Sequence, residues 1–119
     1  MSDERLDVYL SRIGQVAGDA IEFIQDMDRE RFISDLRTQR AVVMCLMIIG
    51  ESVTQVIERY PDFVAEHPNV PWQNIRGMRN RIAHGYFDLD LGTVWATVSD
   101  ALPNLVRSLP EAGNASESD

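Results

Sequence analysis

A chain of 119 residues, 45 % of them hydrophobic, supports one domain around one core and leaves no room for a second catalytic domain. Its net charge of −8 sets the global field against nucleic acid and anionic membrane surfaces, so an anionic ligand must be held by a local basic patch. The single cysteine, Cys45, excludes an internal disulfide and a cysteine-rich metal site, and its apolar neighbours from Val42 to Ile49 mark it as a small buried hydrophobe.

In chain order, apolar residues recur from Leu6 at Leu10, Ile13, Ala17, Ala20, Ile24 and Met27, in alternating steps of three and four. That is the seam of an amphipathic helix. A second line through Tyr9, Val16 and Phe23 widens it toward two neighbours, while Asp7, Arg12, Asp19, Glu22 and Asp26 fall outside the main seam. Ser34 or Asp35 caps a second helix, which runs to about Tyr60 and stops before Pro61. Its centre, Ala41 to Ile49, is apolar all round. Such a run implies a central helix, or one that also faces a second subunit, and a homodimer contact including part of this helix is expected. The run is too short to span a bilayer and the N-terminus lacks a basic-then-apolar signal pattern. A soluble cytoplasmic protein with no membrane association is the expectation.

Pro61, Pro68 and Pro71 punctuate the next section, which predicts a loop over Asp62 to Val70 with at most a helical turn. Pro71 suits the first position of a short helix that Gly77 bends or restarts, and Gly85 suits the position just past its end. A last helix begins near Asp90, carries Leu91, Val94, Trp95, Val98, Leu102 and Leu105 inward, and is kinked by Pro103. Residues 1–109 thus read as an all-α domain, an antiparallel four-helix bundle with a short extra helix. Residues 110–119 carry too little apolar area to order and read as a disordered acidic tail.

The chemistry concentrates in the stretch from Met78 to Asp88. Between His67 and Phe87 there is no Asp or Glu, whereas Arg76, Arg79 and Arg81 lie inside that interval. Arginine forks hold phosphate oxygens two at a time, and an imidazole moves a proton near neutral pH. On an unbroken helix Arg79 and His84, five residues apart, point about 140° from each other. Asn80 and Arg81, four and three residues from His84, share its face. Arg79 meets His84 only if the helix ends near Ala83 or the arginine stem wraps round. Such a site can cleave RNA without metal: His84 acts as general base on a ribose 2′-hydroxyl or as general acid on the leaving oxygen, and Arg79 stabilises charge on the phosphate. A dimer would supply a second imidazole. Three readings stand at this level: catalysis, binding of a phosphate or a partner, and pure structure, with His84 bonding the last carbonyls, the arginines paired to carboxylates elsewhere, and Tyr86 and Phe87 covering the core. A di-metal bundle is excluded, because no inward Glu-x-x-His pair exists.

The segment Arg79-Asn-Arg-Ile-Ala-His84-Gly-Tyr86 resembles the Arg-x4-6-His-x-Tyr signature of the HepT-like branch of the HEPN family. Asp35 to Ala41, Ile49-Gly50-Glu51 and Val94-Trp95 extend the likeness over roughly residues 5 to 107. The resemblance implies a HEPN-like helical bundle that dimerises and brings two arginine-histidine clefts together. It implies the toxin of a type II/VII-like toxin–antitoxin pair, a metal-independent endoribonuclease needing no cofactor, with Arg79 and His84 catalytic. Asn80 would support them; from the residues themselves, Arg81 is a further support, Arg76 of the basic interval contacts RNA, and Glu51, a carboxylate midway along an apolar helix, needs a partner, expected to be an arginine of the motif. The resemblance also implies a minimal nucleotidyltransferase as antitoxin, in a hetero-complex, transferring AMP to Tyr86. The rival expectation is a non-catalytic module that docks a nucleotidyltransferase or a nucleotide.

Overall fold

Four helix starts among the described residues are made by aspartates. In the computed structural model, which describes residues 3–110, Asp3 accepts hydrogen bonds from the Arg5 and Leu6 amides and opens α1 (Glu4–Phe23). Asp28 caps α2 (Arg29–Ile33) through the Arg31 amide, and Asp35 caps α3 (Leu36–Arg59) through the Thr38 amide. Each carboxylate satisfies donors that the first helical turn would otherwise leave unpaired, and its charge complements the helix dipole. Pro61 opens the short α4 (Pro61–Glu66), and α5 (Trp72–His84) follows Pro71. After a single 3-10 turn (Tyr86–Asp88), Asp90 caps α6 (Leu91–Ala96). A π-helical turn (Thr97–Ala101) joins α6 to α7 (Leu102–Ser108) as one final helix.

Amphipathic seams decide the packing. Leu6, Leu10, Ile13, Ala17 and Ala20 of α1 are buried, as the three-four spacing requires, whereas Phe23 on the second line is exposed. The central helix is α3, with α1 on one side and α5 on the other. Its neighbours run antiparallel to it: the Tyr60 hydroxyl at its end donates to Asp3 at the start of α1, while Glu58 and Glu51 meet Arg76 and Arg79 of α5 in reverse order. Val42, Val43, Cys45, Leu46 and Ile49 are buried from both sides, yet Met44 is 61 % exposed. The all-α bundle is therefore as expected among the described residues. Burial also holds the Cys45 thiol above its ordinary pKa, so it is the inert hydrophobe anticipated.

Four local expectations need correction. The short α2 stands where no helix was expected; the buried Gln39 amide donates to the Phe32 and Ile33 carbonyls and so ties the end of α2 to α3. Pro61 starts a helix as well as ending one, because its missing N–H falls where no intrahelical partner exists. Gly77 does not restart α5, which is continuous through it. Although the Ala41–Ile49 run is too short to cross a bilayer, α3 as a whole is long and apolar enough, with a mean hydropathy of 1.7 over eighteen residues. Half of that window is buried inside the bundle. Pro103 follows the π-helical turn, in which the hydrogen-bond ladder widens over Thr97–Ala101 while Val98, Leu102 and Leu105 stay buried. The expected acidic tail, beyond Pro110, lies outside the described residues.

Candidate functional site

Helix α5 presents two faces with different chemistry. Toward α3 it presents Trp72, Ile75, Ile82 and, at their edge, Arg79. Gly50 of α3 makes this approach possible: a Cβ added there would overlap the Arg79 Cβ and lie 2.7 Å from its Cγ. The next residue, Glu51, holds the Arg79 guanidinium in an ion pair, and Asn80 Oδ1 accepts from Arg79 Nη1 at 2.9 Å. The anticipated pairing of Glu51 with a motif arginine is thus present, and Asn80 supports Arg79 from its own helix. One turn earlier, Arg76 Nη2 meets Glu58 Oε2 at 3.3 Å. The basic interval in the sequence is therefore partly neutralised in space, by carboxylates that α3 contributes.

The other face carries Arg81 and His84. Both are exposed, and among the described residues neither has an acidic partner or a side-chain hydrogen bond. They line a groove of about 340 Å³ with Gly85, Asp88, Asp90 and Thr93. Asp90 accepts from the Gly92 amide and the Thr93 hydroxyl. The Thr93 hydroxyl first, then the Gly92 amide, hold its carboxyl below the ordinary aspartate range, so it is ionised at the groove edge.

Helix α5 ends at His84, one residue past Ala83, and so puts the imidazole at the helix terminus as anticipated. The helix includes His84, so the five-residue separation keeps its full angular effect, and Glu51 draws the Arg79 side chain toward α3. What one protomer brings together is Arg81 with His84, as their three-residue spacing requires. Gly85 follows the helix as anticipated, but in extended backbone with φ −174°, not in a left-handed cap.

Tyr86 begins the 3-10 turn two residues after His84. Its ring is half-buried, and the Arg40 guanidinium of α3 sits 5.9 Å from the ring centre. Phe87, edge-on to Tyr86 at 5.4 Å, is 90 % exposed and does not cover the core. Arg40 and Gly50 are the neighbours of the site that sequence reasoning did not single out as site residues. A signal existed for Gly50, since a glycine inside an apolar helix marks a close backbone approach; Arg40 lay within the Asp35–Ala41 stretch of the family likeness but carried no sign of a contact with Tyr86. Among the described residues no three of His, Cys, Asp or Glu are grouped to hold a metal ion.

Comparison with known proteins adds a family. The family model described as ribonuclease HepT-like matches residues 13–112. A protein of Thermococcus cleftensis named "Probable ribonuclease HepT" is 37 % identical over 91 residues, covering 73 % of this chain and 80 % of its own length. Two proteins of Methanocaldococcus jannaschii, each named as a candidate RNase, are 34 % identical over 109 residues (92 % of this chain, 97 % of theirs) and 33 % identical over 107 residues (90 % of each). No solved structure gives a significant match.

Proposed function

The chain belongs to the HepT-like ribonuclease family, and from that membership together with the end of α5 we propose that it is an endoribonuclease acting without a metal ion. The observation that supports this most directly is His84 standing exposed at an open groove beside Arg81, with no carboxylate paired to either. An imidazole so placed is free to transfer protons, and the guanidinium beside it attracts a phosphodiester. In the reaction, a ribose 2′-oxygen gives its proton to a base and bonds to the adjacent phosphorus. The bond from phosphorus to the 5′-oxygen breaks and that oxygen takes a proton, leaving a 2′,3′-cyclic phosphate and a 5′-hydroxyl. His84 serves one of these transfers, while Arg79 and Arg81 offset charge on the phosphate oxygens.

One imidazole does not serve both transfers at once, and Arg79 faces α3 within its own protomer. A homodimer that sets two α5 ends across a twofold axis answers both requirements. Arg79 then exchanges Glu51 for substrate while Asn80 keeps it in place, and Arg76 likewise leaves Glu58 to contact RNA. Restraint comes from a nucleotidyltransferase antitoxin, which moves AMP from ATP to the Tyr86 phenol with release of pyrophosphate. Two residues from His84, the added phosphodiester repels an anionic substrate and obstructs the groove. The protein is in this reading the soluble, cytoplasmic toxin of a toxin–antitoxin pair.

Purified protein freed of partner should cut single-stranded RNA in EDTA, and His84→Ala should lower the rate by about 10²–10⁴-fold, the range of a lost proton-transfer group. Cleavage that stops in chelator, or that survives His84→Ala unchanged, overturns the mechanism. The second reading, a non-catalytic docking module, draws on the internal neutralisation of Arg76 and Arg79. It expects intact RNA together with a stable complex with the nucleotidyltransferase.

A further inference from the structure

The geometry points to a nucleotide subsite distinct from the Arg79–His84 pair: the cleft between α5 and the final helix takes one RNA nucleotide, with its base in an apolar slot beside Asn74 and its phosphate on Arg81. This rests on the ribonuclease reading for its substrate class, but not on any role of Arg79.

Helix α5 and the final helix are both braced by the bundle, with little direct contact between them. At one end lies the polar groove already described; at the other a slot of about 280 Å³ has the buried Leu46, Ile49, Met78, Leu102 and Leu105 as its floor and Asn74, Ile75, Thr97 and Ala101 toward its rim. Met78, Arg81 and Thr93 border both hollows, so groove and slot lie side by side along α5. Each hollow is close to the lower limit of small-ligand clefts, about 300 Å³. That is room for one planar base, not for the row of side chains a docked helix inserts.

The polar groups lie in the order that a nucleotide needs. Asn74, Met78 and Arg81 are spaced i, i+4, i+7 and form one stripe along α5, with Asn74 and Arg81 about 10 Å apart along the axis. A carboxamide offers a donor and an acceptor together, which matches the edge of a base. The aliphatic floor, with Ile75 at its edge, suits one face of that base. Arg81, exposed and unpaired among the described residues, then holds the phosphate at the junction of slot and groove. Beyond it stand Asp88 and Asp90, which also line the groove. Carboxylates there disfavour a polyanion such as a nucleoside triphosphate. The mixture fits a chain with one charge per nucleotide.

The test measures equilibrium binding of a short single-stranded 2′-O-methyl oligoribonucleotide to the full chain, beside the same backbone with abasic residues. Wild type should bind the base-bearing strand about tenfold more tightly, the value of one well-made base contact. Ala101→Trp fills the mouth of the slot from an exposed position, and Asn74→Ala removes the carboxamide. Each should bring the two affinities to within about twofold by weakening the base-bearing strand. Arg81→Ala should weaken both strands and flatten the salt dependence by about one charge. Equal affinity of wild type for the two strands, or unchanged binding by Ala101→Trp and Asn74→Ala, overturns the slot. A methylated 2′-oxygen cannot attack phosphorus, so this readout is independent of cleavage. Slot-dependent binding together with intact unmethylated RNA would overturn the ribonuclease reading and leave the subsite standing.

Discussion

Substituting Gly50 by alanine probes the contact that orients Arg79. In the structure a Cβ at this position overlaps the Arg79 Cβ and approaches its Cγ to 2.7 Å and its Cα to 3.4 Å. The obstructing atoms sit at the root of a side chain on a packed helix, so they cannot swing aside as a side-chain tip does. Overpacking of this kind costs about 1–3 kcal/mol. Replacing glycine by alanine inside a helix recovers about 0.5–1 kcal/mol of propensity, so with overpacking in the upper part of its range, about 2–3 kcal/mol, the net loss is about 1–2.5 kcal/mol. For a domain of about 100 residues that lowers Tm by roughly 4–20 °C, since each kcal/mol shifts it by about 4–8 °C. Thermal and urea unfolding of Gly50→Ala measure the loss, and a changed midpoint at constant denaturant slope confirms that the folded state is affected. A double-mutant cycle locates the cause. Arg79→Ala keeps the offending Cβ and should relieve Gly50→Ala only in part, whereas Arg79→Gly removes it and should show the larger coupling. A Gly50→Ala protein as stable as wild type would refute the reasoning, because α3 and α5 could not then cross in contact at this residue.

Glu51→Gln should change stability by less than about 1 kcal/mol, because the ion pair is half-exposed and screened. It should also strengthen binding of single-stranded RNA by freeing Arg79, and weaker binding in a filter or anisotropy assay would remove Arg79 from the phosphate contacts. Tyr86→Phe should abolish any gain of AMP mass on incubation with the nucleotidyltransferase and ATP, as read by intact-protein mass; a retained gain assigns the acceptor elsewhere. Acid unfolding should report the helix caps. Asp3, Asp35 and Asp90 all lie below the ordinary aspartate range, Asp3 and Asp35 chiefly through backbone amides of the first turn and Asp90 chiefly through the Thr93 hydroxyl. A depressed folded-state value means their contribution is complete above the unfolded pKa of about 3.9 and is lost as pH falls through the folded values. The Tm should therefore be flat near neutrality and fall below about pH 4, and Asp35→Asn should make that acid limb shallower; an unchanged limb excludes the cap as a source.

Wherever a single physical rule decided the outcome, the sequence was legible. Three-four spacing placed Leu6, Leu10, Ile13, Ala17 and Ala20 in the core, and the short carboxylates of Asp35 and Asp90 marked where α3 and α6 begin. Legibility failed where two rules met. Arg29 to Ile33 is too short to show a period, and its helix exists because Gln39, six and seven residues beyond Ile33 and Phe32, reaches back to their carbonyls. Gly77 looked like a break, but Trp72, Met78 and Ile82 are buried on both sides of it and α5 runs on without interruption. The direction of Arg79 is the instructive case. Its distance from His84 in sequence forecast divergence on an unbroken helix, while the chemistry of a phosphate site asked for convergence. The structure follows the helix, because Gly50 admits the root of Arg79 and Glu51 captures its end. Under the proposed homodimer the two chains together supply that convergence, so a variant held monomeric should keep Arg81, His84 and the slot yet cleave poorly. A monomer that cuts RNA as fast as the assembled protein would transfer the arginine's role from Arg79 to Arg81.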